Sequence, residues 1–102
     1  MSKTWKEHER RTARRLSGIR NGNRGTATSD VTAGRWAVEC KSRKALPTWL
    51  LDAMNQAARN AGDGQTGIVV LHQVGQRSDR DIVCMTMAAF TAIAADTEET
   101  SS

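Results

Sequence analysis

An acidic and a basic residue in the middle of the chain have the types and the spacing that phosphate chemistry requires. Glu39 and Lys41 stand two positions apart in the strand-like run Trp36-Ala37-Val38-Glu39-Cys40-Lys41. Because strand side chains alternate between faces, Glu39 and Lys41 are predicted to share one face. A carboxylate beside an ammonium group can hold a divalent cation and can stabilise charge on a phosphate.

A predicted hairpin over Asp30–Lys41 adds a second carboxylate to this face. With a two-residue turn at Ala33-Gly34, Asp30 lies diagonal to Glu39, at about 7–8 Å between Cα atoms. Mg²⁺ binds one or two carboxylates and completes its shell with water and substrate phosphate, so Asp30 and Glu39 are candidate ligands. Lys41 would orient a water molecule or stabilise charge on the phosphate. The alternative is an ordinary salt-bridged surface on a strand.

The first predicted helix supplies a third carboxylate. The segment Trp5–Leu16 is amphipathic, and Glu9 falls on its apolar stripe, whereas Glu7 lies on the polar side. A carboxylate on a buried stripe is costly unless a cation or hydrogen-bond donors accompany it. We therefore expect a partner for Glu9, and Glu9 could itself bind a metal ion or the waters around it.

The other elements predict an α/β sandwich with a small mixed central β-sheet flanked by helices. The expected order is a helix over Trp5–Leu16, a loop over Gly18–Thr28, the hairpin over Asp30–Lys41, a helix from Thr48 to Gly62, a buried strand over Gly67–Val74, a turn over Gly75–Arg80, a strand over Asp81–Met85 and a helix over Thr86–Ala95. Thr48 is the predicted N-cap of its helix. Residues 1–95 are expected to form one domain, and residues 96–102 a disordered acidic tail.

Charge is distributed unevenly along the chain. Residues 1–44 have a formal net charge of +8, and residues 45–102 a net charge of −4. A basic half this marked suggests a polyanionic partner, nucleic acid first, although a solvated basic face is the alternative. The candidate DNA contacts near the predicted site are Arg10, Arg11, Arg14, Arg20, Arg24, Arg43 and Lys44. No base-reading or zinc-finger motif is present, so we expect recognition of DNA shape.

Composition bounds the class of protein. The sequence has no apolar run of membrane-spanning length, and no membrane partner is expected. Its two cysteines lie in apolar, strand-like contexts without metal-type spacing, which favours two buried, reduced thiols in a cytoplasmic protein. With one Phe, three Trp and no Tyr in 102 residues, the core is modest, and a second copy of the chain is the simplest stabilising partner.

The order of these motifs resembles that of a known nuclease superfamily. Asp30, followed after a short hairpin by Glu39-Cys40-Lys41, resembles the PD-(D/E)XK signature, with Ser29-Asp30 in place of Pro-Asp. The first helix, with Glu9-Arg10-Arg11, is similar to that of archaeal-type Holliday-junction resolvases, in which a Glu followed by Arg contributes to the metal site. The segment from Leu46 to Ala53 resembles small phage-encoded resolvase-like proteins. The likeness covers about residues 4 to 90.

The resemblance implies a restriction-endonuclease-like fold and a homodimeric, Mg²⁺-dependent endonuclease, with Mn²⁺ as a substitute. Its substrate would be branched DNA, above all a four-way junction, cut to leave 5′-phosphate and 3′-hydroxyl ends. The implied catalytic residues are Glu9, Asp30, Glu39, Lys41 and Gln56, the last on the helix after the Glu-x-Lys strand. A restriction-like or repair nuclease and a non-catalytic nucleic-acid-binding protein stay open. Trp49 could be a dimer anchor, a DNA contact or part of the core.

Overall fold

The computed structural model describes the backbone of residues 4–22 and 29–101. The chain forms two compact units, Met1–Lys44 and Ala45–Ser102, each of which is described by itself. Both units contain helix and antiparallel strands, so the molecule is a small α/β protein. The described strands form two separate sheets, and the expectation of one mixed central sheet is therefore wrong. The single domain over residues 1–95 and the tail over 96–102 stay predictions.

The first unit begins with helix α1, Thr4–Arg15, within one residue of its predicted bounds. Its inward side is the predicted stripe, since Glu9, Thr12 and Ala13 are all buried. Trp5 departs from the stripe and is 48% exposed. The helix ends where the N–H of Gly18 donates to the carbonyl of Ala13 at 2.8 Å.

Three short strands follow α1 and form one antiparallel sheet in the order β1-β2-β3. They are β1, Ile19–Arg20; β2, Val31–Ala33; and β3, Trp36–Val38. Strand β1 lies in a segment that we expected to be loop. Its pairing with β2 outweighs the local Gly, Asn and Arg composition, because a propensity is only a weak preference. Gly18 permits the close approach, since a Cβ there would lie 2.5 Å from the carbonyl oxygen of Thr32.

The hairpin between β2 and β3 forms as predicted, but its turn lies one residue later. Ala33 pairs with Trp36, so the two turn residues are Gly34 and Arg35 rather than Ala33 and Gly34. Gly34 has a φ of 57°, and a glycine with positive φ at the first turn position is what a type II′ hairpin requires. The later turn also leaves Ala33 in β2, where it is 3% exposed.

The second unit contains two longer helices and a two-stranded sheet. The elements are α2, Thr48–Asn60; β4, Val69–Leu71; a short 3₁₀ helix, Ser78–Arg80; β5, Ile82–Cys84; and α3, Met87–Ser101. Strands β4 and β5 are antiparallel, and α2 packs on β4. Helix α3 continues six residues beyond its predicted end at Ala95. Pro47, not Thr48, occupies the N-cap position of α2, and its carbonyl accepts from the N–H groups of Leu50 and Leu51.

The sheet of the second unit is more open than predicted. The run Gly67–Val74 was expected to be buried, yet Val70 is 54% exposed and its partner Val83 is 53% exposed. The reason is that α2 covers only one side of a sheet with two strands. No residue of α2 is fully buried either.

The structure bears on two expectations drawn from composition: the burial of the cysteines and the lack of a membrane-spanning segment. Cys40 and Cys84 are free and half-buried, rather than fully buried. Among the residues that the structure describes, no helix has both the length and the apolar character needed to cross a bilayer.

Candidate active site

The hairpin register brings Asp30 and Glu39 to adjacent strand ends. Val31 pairs with Val38, so the next positions outward are Asp30 and Glu39, which lie opposite one another rather than diagonally. When the turn moves by one residue, each residue's cross-strand partner changes by two positions. A change of two positions keeps the side chains of both strands on the same faces of the sheet. Continuing this register by one residue would keep Asp30 and Glu39 on one face, but both lie just outside the strands, and the association of their carboxylates stays a prediction.

A hydrogen bond fixes Asp30 against the Glu39–Lys41 segment. The backbone N–H of Cys40 donates to Asp30 Oδ2 at 2.8 Å. Asn21 secures the other side, because its N–H donates to the Asp30 carbonyl at 3.0 Å and its Nδ2 donates to the Ser29 carbonyl at 2.7 Å. Within the described structure, Asp30 Oδ1 has no hydrogen-bond partner. One carboxylate oxygen thus serves the fold, and the other can accept from a cation or a water molecule.

Glu39 and Lys41 are both exposed, and the prediction that they share one face of a strand is wrong because the pairing of β3 stops at Val38. Neither forms an ion pair with any residue in the described part of the chain. The salt-bridged strand surface that was the alternative for these residues is therefore not what the structure has. An unpaired carboxylate and an unpaired ammonium group, next to an anchored aspartate, remain available to a ligand.

Glu9 forms an ion pair with Arg20, as its predicted position on the buried side of the helix required. It is 8% exposed, and Arg20 Nε donates to its Oε1 at 2.8 Å. Arg20 also lies over the ring of Trp5, with its guanidinium carbon 5.8 Å from the ring centroid. Glu7 is exposed, as predicted. Arg20 was predicted as a DNA contact, but in the structure it pairs across the sheet with buried Val31 and its side chain binds Glu9 of α1.

The predicted metal ligands do not converge as a set of three. Among the described residues, no group of three or more His, Cys, Asp or Glu side chains is placed to hold one metal ion. Glu9 is neutralised by Arg20, which leaves Asp30 and Glu39 as the adjacent acids. Two carboxylates, with substrate phosphate and water completing the shell, suit Mg²⁺, which rarely uses an all-protein cage. The donor set thus fits Mg²⁺ through Asp30 and Glu39.

The outer face of α1 is basic. Arg10, Arg11 and Arg14 are exposed and, with Glu7, line a recess of about 290 Å³. Three guanidinium groups around one recess can donate several charge-assisted hydrogen bonds to a phosphate. Arg11 additionally lies 3.2 Å from His8 Nδ1.

The remaining predicted residues are dispersed. Arg43 and Lys44 are exposed at the end of the first unit, whereas Arg24 lies outside the described residues. Gln56 is exposed on α2, in the second unit. Trp49 is 60% exposed, which excludes the core from its three possible roles.

Sequence reasoning missed a histidine–carboxylate pair in the second unit. His72 Nδ1 lies 2.6 Å from Asp81 Oδ1. Leu71 pairs with Ile82, so His72 and Asp81 are the next positions in the β4–β5 register. Aligning the two strands in the sequence would have found the pair.

Comparison with known proteins adds no family to this description. No family model, curated protein or solved structure matches the chain.

Proposed function

We propose that this chain is a Mg²⁺-dependent, structure-selective DNA endonuclease that acts on four-way junctions or other branched DNA. The observation that carries the proposal is the hydrogen bond from the Cys40 N–H to Asp30. It fixes the Asp30 carboxylate on the backbone of the Glu39–Lys41 segment, whose two charged side chains form no ion pair with any described residue. A segment whose charges only stabilised the hairpin would be expected to pair them with each other.

Each residue of the proposed site has a distinct task. Asp30 and Glu39 would hold Mg²⁺, or Mn²⁺ in its place. When bound, the ion would polarise the phosphoryl group and activate a water molecule. Lys41 would donate to a phosphate oxygen and stabilise the charge that develops on it. Glu9, paired with Arg20, would position α1 against β1; a metal role for Glu9 would require Arg20 to release it.

DNA binding would use the basic surface of the first unit. The recess formed by Arg10, Arg11 and Arg14 is a suitable contact for a backbone phosphate, and Arg43 and Lys44 would extend the contact beyond the Glu39–Lys41 segment. Such contacts carry no sequence information, which agrees with recognition of DNA shape. The proposal also includes a catalytic role for Gln56, a restriction-endonuclease-like fold and a cytoplasmic location.

A homodimer is part of this proposal because a four-way junction is cut at paired positions. The support is the exposed apolar cross-strand pair Val70 and Val83, which a second copy could cover. Analytical ultracentrifugation should give twice the chain mass for the wild type. Val83→Asp should shift the protein to monomer, whereas the same change at exposed Thr32 should not. A wild type that is monomeric at all concentrations would contradict the dimer.

The second candidate is a non-catalytic nucleic-acid-binding protein. The observation in its favour is that the structure already gives Glu9 and Asp30 intramolecular partners, Arg20 and the Cys40 N–H. On this alternative Glu9 would only hold α1 to β1, and Asp30 would only support the hairpin. Binding would then be independent of Mg²⁺, and no cleavage would occur.

Cleavage of a synthetic four-way junction distinguishes the two. The wild type should nick a labelled junction in Mg²⁺, in preference to linear duplex of the same length. Lys41→Ala should lower the cleavage rate about 100-fold or more, since a preorganised charge donor is worth about 10²–10³ in rate. Glu39→Ala should abolish cutting while junction binding persists. Asp52→Ala, at an exposed acid on α2, should change neither. A wild type that binds junctions and cuts none in Mg²⁺ or Mn²⁺ would end the enzyme proposal.

A further inference from the structure

A second recess lies wholly within the second unit, at the end of its sheet. It has a volume of about 370 Å³, within the range of small-molecule sites. Its lining combines an apolar cross-strand pair, Leu71 and Ile82, with the polar side chains of His72, Gln73, Gln76 and Arg80. An open recess lined by apolar side chains and by hydrogen-bond donors suits a ligand that has both a ring and an anionic group.

Asp81 determines which ring nitrogen of His72 carries a hydrogen. Its Nδ1 lies 2.6 Å from Asp81 Oδ1, and because a carboxylate only accepts, Nδ1 must carry a hydrogen. Its Nε2 is then left for a ligand. Nε2 accepts a hydrogen from a ligand in the neutral ring and donates one in the doubly protonated ring.

The charges around the recess leave one guanidinium unpaired. Arg77 is engaged with Asp79 at 2.7 Å, and Asp81 is engaged with His72. In the described part of the chain, the side chain of Arg80 forms no hydrogen bond or ion pair. The acids on either side of Arg80 in the sequence are thus already occupied, although the second unit as a whole is acidic.

We propose that this recess binds the phosphate of a nucleotide-sized phosphate monoester. Arg80 would donate to the phosphate oxygens, His72 would form a hydrogen bond with the phosphate through Nε2, and the amides of Gln73 and Gln76 would add neutral donors. Leu71 and Ile82 would contact the ring. The guanidinium suits a phosphate, which accepts several charge-assisted hydrogen bonds at once. This site lies apart from the carboxylates of the nuclease proposal in the sequence and does not depend on that proposal.

Titration of the full chain with deoxyadenosine 5′-monophosphate tests the site, with binding followed by nuclear magnetic resonance and calorimetry. Signals of the 71–82 segment should shift, and deoxyadenosine without phosphate should bind at least about tenfold more weakly, as expected for loss of a charge-assisted contact. Arg80→Gln and His72→Gln should each raise the Kd about tenfold. Arg77→Gln is the matched control, because Arg77 is paired with Asp79 and does not line the recess, and it should change the Kd less than about twofold.

Three results would overturn the proposal: no binding at millimolar nucleotide, equal binding of deoxyadenosine, or equal losses in Arg77→Gln and Arg80→Gln. The last would mean diffuse attraction rather than a site. A 5′-phosphorylated oligonucleotide then identifies the source of the phosphate. Displacement of the mononucleotide identifies a DNA strand end, and no displacement identifies a free nucleotide; each supports the phosphate site.

Discussion

Removing the guanidinium of Arg20 should expose how much of the first unit depends on its pair with Glu9. The change Arg20→Met keeps an apolar stem of similar length but takes away the donor to Glu9 Oε1. Glu9 then remains on the inner side of α1, 8% exposed, with no cation to offset its charge. A buried charge that loses its partner is far more costly than the pair is stabilising.

The burial of the two side chains sets the expected magnitude. Loss of one partner from a buried ion pair costs about 3–5 kcal/mol. The Arg20 side chain is 23% exposed and that of Glu9 is 10% exposed, so water can partly replace the guanidinium. We therefore expect the lower end, about 3 kcal/mol. For a domain of this size that corresponds to a fall in Tm of roughly 12 °C or more.

Chemical denaturation followed by tryptophan fluorescence measures this loss. Trp5 and Trp36 report on the first unit once Trp49 is replaced by Phe. The matched control is Arg10→Met, the same change on the exposed side of α1, which should cost no more than about 0.5 kcal/mol.

The double variant Glu9→Leu with Arg20→Met should recover most of the lost stability, because apolar residues can replace a buried pair at little net cost. Two results would refute this reasoning. One is an equal, small effect of Arg20→Met and Arg10→Met on the free energy of unfolding. The other is a double variant no more stable than Arg20→Met alone.

Two further predictions concern packing and DNA contact. Gly18→Ala should lower the free energy of unfolding, measured in a denaturation titration, by about 1–3 kcal/mol, because its Cβ would lie 2.5 Å from a backbone oxygen. The control Gly62→Ala should be nearly neutral, because its Cβ would meet only a side chain, at 3.6 Å. Arg14→Gln should weaken binding of every DNA sequence alike and should lower the slope of log K against log salt by about 1, as measured by fluorescence anisotropy; an unchanged slope would remove Arg14 from the interface.

Local patterns in the sequence predicted the helices of this protein well. The 3.6-residue period of α1 placed Glu9 on the buried side and Glu7 on the exposed side, and both placements are confirmed. The need for a cation near Glu9 also followed from the sequence, because burial of a lone carboxylate is costly. The identity of that cation did not follow, since Arg20 lies in β1, a strand of two residues that forms only through its pairing with β2.

Long-range pairing limited what the sequence could predict about the sheets. The pairing of β2 with β3 was predictable from the alternating pattern and the glycine turn, and the error of one residue in the turn preserved the parity of the two strands. The hydrogen bond from the Cys40 N–H to Asp30 was not predictable from the sequence, because it depends on where the strands end. The openness of β4 was missed for a similar reason, since an apolar run does not reveal how many elements will cover it.

The most direct test of the central claim is the cleavage rate of Asp30→Asn on a four-way junction in Mg²⁺. An asparagine oxygen can still accept from the Cys40 N–H, so the hairpin anchor is kept while the carboxylate charge is lost. We expect an unchanged Tm, retained junction binding and a loss of cleavage of about 100-fold or more, as removal of a metal-binding carboxylate should cost at least as much as removal of an outer-shell partner. Cleavage by Asp30→Asn at the wild-type rate would show that Asp30 only supports the hairpin, and would contradict the proposed active site.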